Sequence, residues 1–331
     1  MTREQSAIVK GIAILMMLLY HSSFIGPVNA AIHNAVGATI GNASNPISYF
    51  LIVSGYGLYL AYHNKRVSWK YLFKRTARLY LAFWIVLALF VFGLGNMMYP
   101  GRFPMSWDMI IANMTGYRWD YCQFTWFLLP YVLMTFSAKW IFWLTDHIGD
   151  IVMLLLTGAL YLASTWLISR FYDSWLRFNY PIYHIVLVVN LFFSLTIGSV
   201  MARCSLKGNK LTWNKLKGKN IYVALLFIVS FIVRGQIHFA PLNPIYCAFV
   251  VWLVLHLELP QGISKIFVEL GNKSMVMWLA QGFLGVMLFS EYISMIKNPV
   301  LAWLAWLAVT YLVASFILPV SNCFARKLKL C

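Results

Sequence analysis

Stretches of about twenty apolar residues recur along almost the whole chain, with short charged segments between them. The hydrocarbon core of a bilayer is about 30 Å thick and an α-helix rises about 1.5 Å per residue, so each stretch suits one crossing. Hydrophobic residues make up 61% of the 331 residues and charged residues only 11%, whereas soluble domains are about a quarter charged. Since a water-soluble fold could not bury so much apolar surface, the sequence predicts an all-α bundle of transmembrane helices.

The apolar stretches predict about ten transmembrane helices in a single domain covering residues 1–331. The candidate spans are residues 7–25, 46–62, 79–97, 123–143, 150–169, 183–202, 220–238, 243–259, 274–291 and 299–322. The first span could instead be a signal peptide cleaved near Val28-Asn29-Ala30, but it exceeds the usual apolar core of about 7–15 residues. We therefore interpret it as a retained helix, and we expect a tight turn at residues 240–244.

The basic residues indicate the orientation of the bundle. A net charge of +17 would suggest a nucleic-acid partner in a soluble protein, but these residues form short clusters between apolar runs. The main clusters are Lys65, Arg66, Lys70, Lys74, Arg75 and Arg78, then Arg203, Lys207, Lys210, Lys215, Lys217 and Lys219, and finally Arg326, Lys327 and Lys329. An even number of spans places these clusters and both termini on one side. Because cytoplasmic loops are rich in Lys and Arg, we expect both termini in the cytoplasm, an inner-membrane location and no nucleic-acid partner.

Aromatic residues are concentrated in the long segments on the other side, at residues 26–45, 98–122 and 170–182. They include Tyr99, Trp107, Tyr117, Trp119, Tyr121, Tyr172, Trp175 and Tyr180, accompanied by Arg118, Asp120, Asp173 and Arg177. Aromatic faces beside charged groups suit carbohydrate, whose CH faces stack and whose hydroxyls need donors and acceptors. The alternative, simpler for any single residue, is the aromatic belt that anchors helices at the headgroups.

An ionisable side chain inside a transmembrane helix is costly and therefore predicts a functional role. His21 is the clearest case, toward the outer end of the first span. Lys10 lies close to three helical turns earlier, so the two side chains share one helix face about 16 Å apart. This geometry suits an anionic group at Lys10 and a hydroxyl deprotonated by His21 as general base. The alternative is a histidine whose hydrogen bonds are satisfied at the membrane interface.

Two further groups of residues could surround a ligand. Arg75 and Arg78 are spaced i, i+3 near the start of the third span, and two guanidinium groups on one helix face can hold a phosphate. By spacing alone, ordinary positive-inside charge explains them better. Ser54, Gly55 and Tyr56 interrupt the second span with a small-residue site, which predicts either close helix packing or room for a ligand.

Five short motifs follow one another along the chain. They are Lys10 through His21, the apolar run Tyr49 to Tyr56 ending in Ser-Gly-Tyr, the Arg-x-x-Arg-Leu-Tyr segment from Arg75 to Tyr80, Trp126-Phe127-Leu128, and the Leu-Gly-x-x-Ser segment from Leu270 to Ser274. In this order they resemble the signatures of the acyltransferase 3 membrane proteins, bacterial enzymes that typically O-acetylate cell-surface glycans such as lipopolysaccharide and peptidoglycan. The resemblance covers essentially the whole chain.

Two positions differ from the family pattern. The family usually has Arg where this chain has Lys10, so only a point charge remains for holding phosphate there. In the ninth span the family often has Tyr-Leu-x-His, whereas this chain has Trp278-Leu279-Ala280-Gln281. The resemblance therefore supplies no second histidine and assigns no role to Gln281.

The resemblance implies an O-acyltransferase that moves an acyl group, expected to be acetyl, from cytoplasmic acyl-CoA to a hydroxyl of a cell-envelope glycan. The implied site residues are His21 as general base, Lys10, Arg75 and Arg78 for acyl-CoA, and Ser54, Gly55, Tyr56 and Trp126 around the active site. Acetyl-CoA is then a co-substrate and no cofactor is permanently bound; the five cysteines lack CxxC spacing, which indicates no metal site. The expected partners are acyl-CoA, membrane lipid and a cell-surface or lipid-linked glycan.

Two other functions fit the same sequence features. The main alternative is a transporter or flippase for a glycan or a lipid-linked glycan. A proton-coupled carrier usually keeps carboxylates deep in the bundle, whereas the nine acidic residues here are predicted in loops or near span ends. The second alternative is a non-catalytic relative that anchors an envelope assembly.

Overall fold

Helices occupy the positions of all the predicted spans. The computed structural model describes residues 1–25, 28 and 35–330, and all regular secondary structure in this part of the chain is helical. The all-α prediction is therefore confirmed. Most of the possible cleavage site Val28-Asn29-Ala30, and part of the predicted outer segment 26–45, lie outside the described residues.

In the described residues of its first half, the chain forms four long helices and two short ones of eight residues or more. They are α1 (Arg3–His21), α2 (Ala35–Ala43), α3 (Ile47–His63), α4 (Trp69–Leu87), α5 (Trp107–Met114) and α6 (Leu128–Ile148). A 3₁₀ turn, Ser22–Phe24, extends α1, and a π-helical segment, Ala88–Gly95, extends α4. Helices α2 and α5 lie in segments that the sequence predicts as outer loops.

The second half contains α7 (Asp150–Phe171), α8 (Tyr180–Leu206), α9 (Asn220–Gln236), α10 (Asn243–Val254), α11 (Gln261–Gly282) and α12 (Pro299–Lys327). The connection from α9 to α10 includes a single 3₁₀ turn, Ala240–Leu242, where the sequence predicts a tight turn. A π-helical segment, Phe283–Met287, continues α11 beyond its last α-helical turn.

Six helical segments in the described part of the chain are long and apolar enough to cross a membrane. They are Arg3–Phe24, Trp69–Met98, Gln123–Ile148, Asp150–Phe171, Tyr180–Leu206 and Pro299–Lys327. Helices α9 and α10 are apolar but shorter, α3 has 17 residues, and α11 carries Lys265, Glu269 and Lys273. The protein is thus a multi-pass helical membrane protein.

Two helices begin earlier than the sequence predicts. Helix α4 begins at Trp69, where the Ser68 side chain accepts a hydrogen bond from the Tyr71 amide (3.1 Å), and not near residue 79, where the predicted span begins. Arg75 and Arg78 lie within this helix. Helix α11 begins at Gln261, so the Leu-Gly-x-x-Ser segment lies inside this helix and does not open it. Charged residues lower hydropathy without interrupting the helical hydrogen bonds, which explains both errors.

Glycines allow two helix pairs to pack backbone against backbone. A Cβ atom at Gly11 would meet the carbonyl oxygen of Phe267, and one at Gly271 would meet that of Ala7, which joins α1 to α11. Helices α3 and α8 pack in the same way through Gly55 and Gly198. Small residues at such contacts let membrane helices gain dispersion energy over a long interface.

The turn between α6 and α7 is fixed to α8 by Arg203. Its guanidinium donates to the Asp150 carboxylate (2.8 Å) and to the Thr145 carbonyl (2.9 Å), and it lies 3.6 Å from Asp146. The Tyr59 hydroxyl of α3 donates to the same Asp146 carboxylate (2.6 Å). This network, together with the glycine contacts, holds α3, α6, α7 and α8 as one unit.

Gly55→Ala is expected to lower the free energy of unfolding by about 1–3 kcal/mol, because the added methyl group must push α8 away from α3. The measurement is the midpoint of thermal unfolding in detergent. Gly57→Ala, two residues along the same helix, is the matched control, since no atom lies within 4 Å of its added Cβ. Equal midpoints for the two variants would contradict the packing role of Gly55.

Candidate active site

A cavity of about 640 Å³ lies inside the bundle, which is in the size range of small-molecule sites. Its walls come from α1, α3, α4, α6, α7, α8, α11 and α12. The predicted site residues that line it are Lys10, His21, Ser54, Arg75, Arg78 and Trp126. Residues far apart in the sequence therefore share one enclosed space.

One part of the cavity is strongly positive. Lys10 and Arg75 lie close enough to repel each other electrostatically, and Arg78 lines the same wall. None of these three cations forms an ion pair with a carboxylate among the described residues. The described lining of the cavity also contains no Asp or Glu. Arg78 is exposed, whereas Lys10 and Arg75 are partly buried. Because unpaired cations that lose contact with water are costly, this region is suited to an anionic ligand.

Tyr131 connects this positive region to the cavity wall. Its hydroxyl accepts a hydrogen bond from Nη2 of Arg75 (2.8 Å) and lies 3.2 Å from the Ser54 hydroxyl. Nε of Arg75 is buried and has no hydrogen-bond partner among the described residues. The guanidinium is therefore fixed on one side and retains an unused donor.

His21 lies at the C-terminal end of α1, where the ring of Phe124 packs against its imidazole with a centroid separation of 4.1 Å. Its Nδ1 atom is buried and has no hydrogen-bond partner among the described residues. The fully buried side chain of Gln281 lies beside this ring. Among the described residues no carboxylate forms an ion pair with this imidazole.

Aromatic residues form the wall of the cavity near His21. Trp126, Phe127, Tyr183 and Trp278 all line it, and the Trp278 indole donates to the Phe124 carbonyl (3.0 Å). Tyr183 also contacts Trp119, with a ring-centroid distance of 5.8 Å. The aromatic cluster that the sequence predicts in the outer segments thus reaches the cavity wall.

Arg118 and Asp120 satisfy each other rather than facing a ligand. The guanidinium donates to both carboxylate oxygens of Asp120, from Nε at 2.9 Å and from Nη2 at 2.8 Å. The hydrogen bond to Asp120 raises the pKa of Arg118 above its ordinary value. Arg118 also lies over the Tyr180 ring, 5.3 Å from its centroid. These contacts stabilise the conformation of the segment between α5 and α6.

Two of the predicted site residues lie away from the cavity. Gly55 packs against the Leu195 carbonyl of α8, and the Tyr56 hydroxyl accepts a hydrogen bond from the Met1 amino group (2.7 Å). Of the two explanations for this small-residue site, close helix packing describes Gly55. Ser54, on the neighbouring face, does line the cavity.

Several polar residues at the site carry no sequence signal of their own. Tyr131 follows the Trp126-Phe127-Leu128 motif, but only the fold shows that it meets Arg75. Asn190, Asn272 and Asn322 line the cavity from three different helices. In the sequence, Asn190 stands out only as a polar residue within an apolar run, and this does not show that it faces the cavity.

Fold and cavity together define a class of protein: a multi-pass helical bundle whose internal site combines unpaired cations with a histidine. A family model described as an acyltransferase domain matches residues 7–320, and the chain belongs to this family, acyltransferase 3. No curated protein and no solved structure matches the chain. Family membership makes the protein a membrane acyltransferase.

Tyr131→Phe is expected to lower the free energy of unfolding by about 1–3 kcal/mol, because it leaves an Arg75 donor without its acceptor. Thermal unfolding in detergent measures the change. Tyr292→Phe is the control, since Tyr292 is 59% exposed. An unchanged midpoint for Tyr131→Phe would mean that the hydrogen bond to Arg75 contributes nothing to stability.

Proposed function

We propose that this protein is an O-acyltransferase that moves an acyl group, expected to be acetyl, from acyl-CoA to a hydroxyl of a cell-envelope glycan. The observation that carries the proposal is the single cavity lined by Lys10, Arg75 and Arg78 together with His21. Membership of an acyltransferase family supports the reaction class. The donor and the acceptor are those that the resemblance to the family implies, and the cations of the lining suit the phosphates of the donor.

Acyl-CoA is the proposed donor because its phosphates match the unpaired cations. Guanidinium groups bind phosphate oxygens through directed N–H bonds, and Lys10 adds a point charge. The buried, unused Nε of Arg75 supports an anion at this place. In the proposal this region opens to the cytoplasm, because the basic clusters of the chain lie on the same side as Lys10.

The acceptor hydroxyl is proposed to approach His21 past the aromatic wall. The neutral imidazole removes the hydroxyl proton, and the oxygen attacks the thioester carbonyl carbon. The C–S bond of the tetrahedral intermediate then breaks, which leaves the acyl group on oxygen. The coenzyme A thiolate takes the proton back from the imidazolium, so the base is regenerated and no proton is gained or lost.

Direct transfer is favoured over a cysteine-bound intermediate. Cys122 is the cysteine nearest the site, with its sulfur against Gly282 and close to Phe124. Burial raises the pKa of this thiol to about 12, so the nucleophilic thiolate is scarce at neutral pH. The acceptor hydroxyl, activated by His21, is therefore the proposed nucleophile.

The lining of the cavity weighs against a proton-coupled transporter. Such carriers use intramembrane carboxylates as relays, and the described lining has none. Glu269 lies on α11, just before the predicted span of residues 274–291. It pairs with Lys273 at 2.6 Å and does not line this cavity.

Replacing both Arg75 and Arg78 with Ala is expected to weaken acyl-CoA binding by at least about tenfold, because charged hydrogen bonds to phosphate are lost. Binding is measured by isothermal calorimetry in nanodiscs. Arg78→Ala alone keeps the Arg75 contact to Tyr131 and tests the phosphate role without disturbing that packing. Arg66→Ala removes an exposed charge outside the cavity and serves as control. Equal weakening of acyl-CoA and glycan binding would indicate lost folding instead.

His21→Ala is expected to reduce transfer by about 10²–10⁴-fold, the usual contribution of a general base, while acyl-CoA still binds. The assay follows radiolabelled acetyl-CoA into cell-envelope glycan with purified protein in nanodiscs. His147→Ala, which changes an exposed histidine outside the cavity, is the matched control. Full activity in folded His21→Ala protein would exclude the general-base role.

A further inference from the structure

Three buried polar atoms without hydrogen-bond partners meet at the His21 end of the cavity. They are Nδ1 of His21 and both Oε1 and Nε2 of Gln281, which is fully buried. Buried polar groups in folded proteins are normally paired, so an unpaired set in one place indicates either a ligand or a shared contact. The Gln281 carboxamide already lies within side-chain interaction distance of the imidazole.

The register of α1 and α11 brings these side chains to the same height. The Ser264 hydroxyl donates to the Glu4 carboxylate (2.5 Å) near the start of both helices, and further along Gly11 packs on the Phe267 carbonyl and Gly271 on the Ala7 carbonyl. His21 and Gln281 have the same separation in sequence as Glu4 and Ser264. Contacting residues on two parallel helices keep a nearly constant separation in sequence. The contact between α1 and α11 therefore places His21 beside Gln281.

The backbone around Gln281 is fixed from two sides. The Trp306 indole donates to the Gln281 carbonyl (3.1 Å), and a Cβ at Gly282 would overlap Phe124, the ring that packs on His21. Helix α11 changes from α to π geometry immediately afterwards, at Phe283–Met287. Such π segments are frequent at functional sites. The carboxamide is therefore held on a rigid support beside the imidazole.

We propose that Gln281 is a positioning residue for His21, whose Nδ1–H group donates to Oε1 of the Gln281 carboxamide. In the proposal this bond fixes the tautomer and leaves the Nε2 lone pair of His21 free for the cavity that the residue lines. The second ring nitrogen of a catalytic histidine is commonly held by such an acceptor. The catalytic consequence rests on the proposed acyl transfer, whereas the contact itself does not.

Few other titratable groups share the surroundings of His21. They are Tyr20 from α1, Tyr183 from α8 and Cys122 from the segment before α6. Among the described residues no carboxylate or cation lines this end of the cavity. A neutral carboxamide thus orients the ring without adding charge, and a carboxylate at residue 281 would stabilise the imidazolium instead.

The kinetic test compares Gln281→Leu, Gln281→Asn and Gln281→Glu with wild type in nanodiscs, with acetyl-CoA and cell-envelope glycan as substrates. Gln281→Leu is expected to lower kcat by about 10–100-fold, as for other residues that orient a reacting group, with KM for acetyl-CoA unchanged. Gln281→Glu should shift the rising limb of the pH–rate profile upward by at least about one unit, because the neutral base then forms at higher pH. Partial recovery in Gln281→Asn supports the same role.

Two kinetic results would overturn the proposal: kcat preserved in Gln281→Leu, or a loss confined to KM for the glycan, which would make Gln281 a substrate contact. Thr310→Val is the matched control, because Thr310 on α12 is also fully buried with an unpaired polar atom, and neither Thr310 nor Gln281 is among the residues that line the cavity. It is expected to keep wild-type kinetics. A loss of kcat in Thr310→Val equal to that in Gln281→Leu would also overturn the proposal, since it would attribute the effect to packing.

A second readout does not depend on activity. Solid-state NMR of protein labelled with ¹⁵N-histidine distinguishes protonated from unprotonated ring nitrogens, and subtraction of the His21→Ala spectrum isolates His21. Wild type is expected to show one tautomer, protonated at Nδ1, and Gln281→Leu a mixture. The same tautomer distribution in both would refute the contact. If wild-type protein transfers no acyl group, the proposed function fails while this measurement still decides the contact.

Discussion

The close contact between α1 and α11 is the constraint on which the site depends. In lipid there is little hydrophobic force between helices, so α1 and α11 associate through dispersion and close backbone approach, which Gly11 and Gly271 permit. Because this contact fixes the height of one helix relative to the other, it also fixes what faces His21. Lys10, next to Gly11, is placed by the same contact. A shift of one helical turn, about 5.4 Å, would separate the cations, the histidine and the α11 wall from their present partners.

The distribution of charge explains how a bundle can hold several cations internally. Arg203 is a paired cation, with Asp146 and Asp150 close to its guanidinium, and this network links helices. Lys10 and Arg75 are the opposite case, since no described carboxylate neutralises them and Arg75 interacts with phenol hydroxyls instead. Desolvated charge without a partner destabilises a fold. These unpaired cations therefore lower the stability of the fold, and a bound anion would offset that cost. Such an arrangement is typical of a binding site rather than of a structural ion pair.

The sequence predicted those features of the fold that follow from the thickness and low polarity of the membrane. Apolar length located the helices, but it misplaced the starts of α4 and α11, because Lys70, Lys74 and Glu269 lower hydropathy without breaking a helix. The spacing of Lys10 and His21 predicted one shared face, and both residues line the cavity. The roles of Tyr131 and Gln281 could not be predicted from the sequence, since they depend on contacts with Arg75 and His21 that only tertiary packing creates. Gly55 was ambiguous for a similar reason: a small residue looks the same whether a helix or a ligand lies beside it.

The titratable groups that line the cavity favour acyl transfer over proton-coupled transport. A carrier driven by protons must pass them along groups that titrate in sequence, and the described lining offers a histidine but no carboxylate. In the proposed reaction that single histidine is sufficient, because the proton removed from the hydroxyl returns to the departing thiolate. The thiolate leaves the same carbon that the hydroxyl attacks, so in the proposal one ring nitrogen, Nε2 of His21, accepts the proton and returns it. A cavity with unpaired cations and one histidine therefore fits the proposed transfer better than proton coupling.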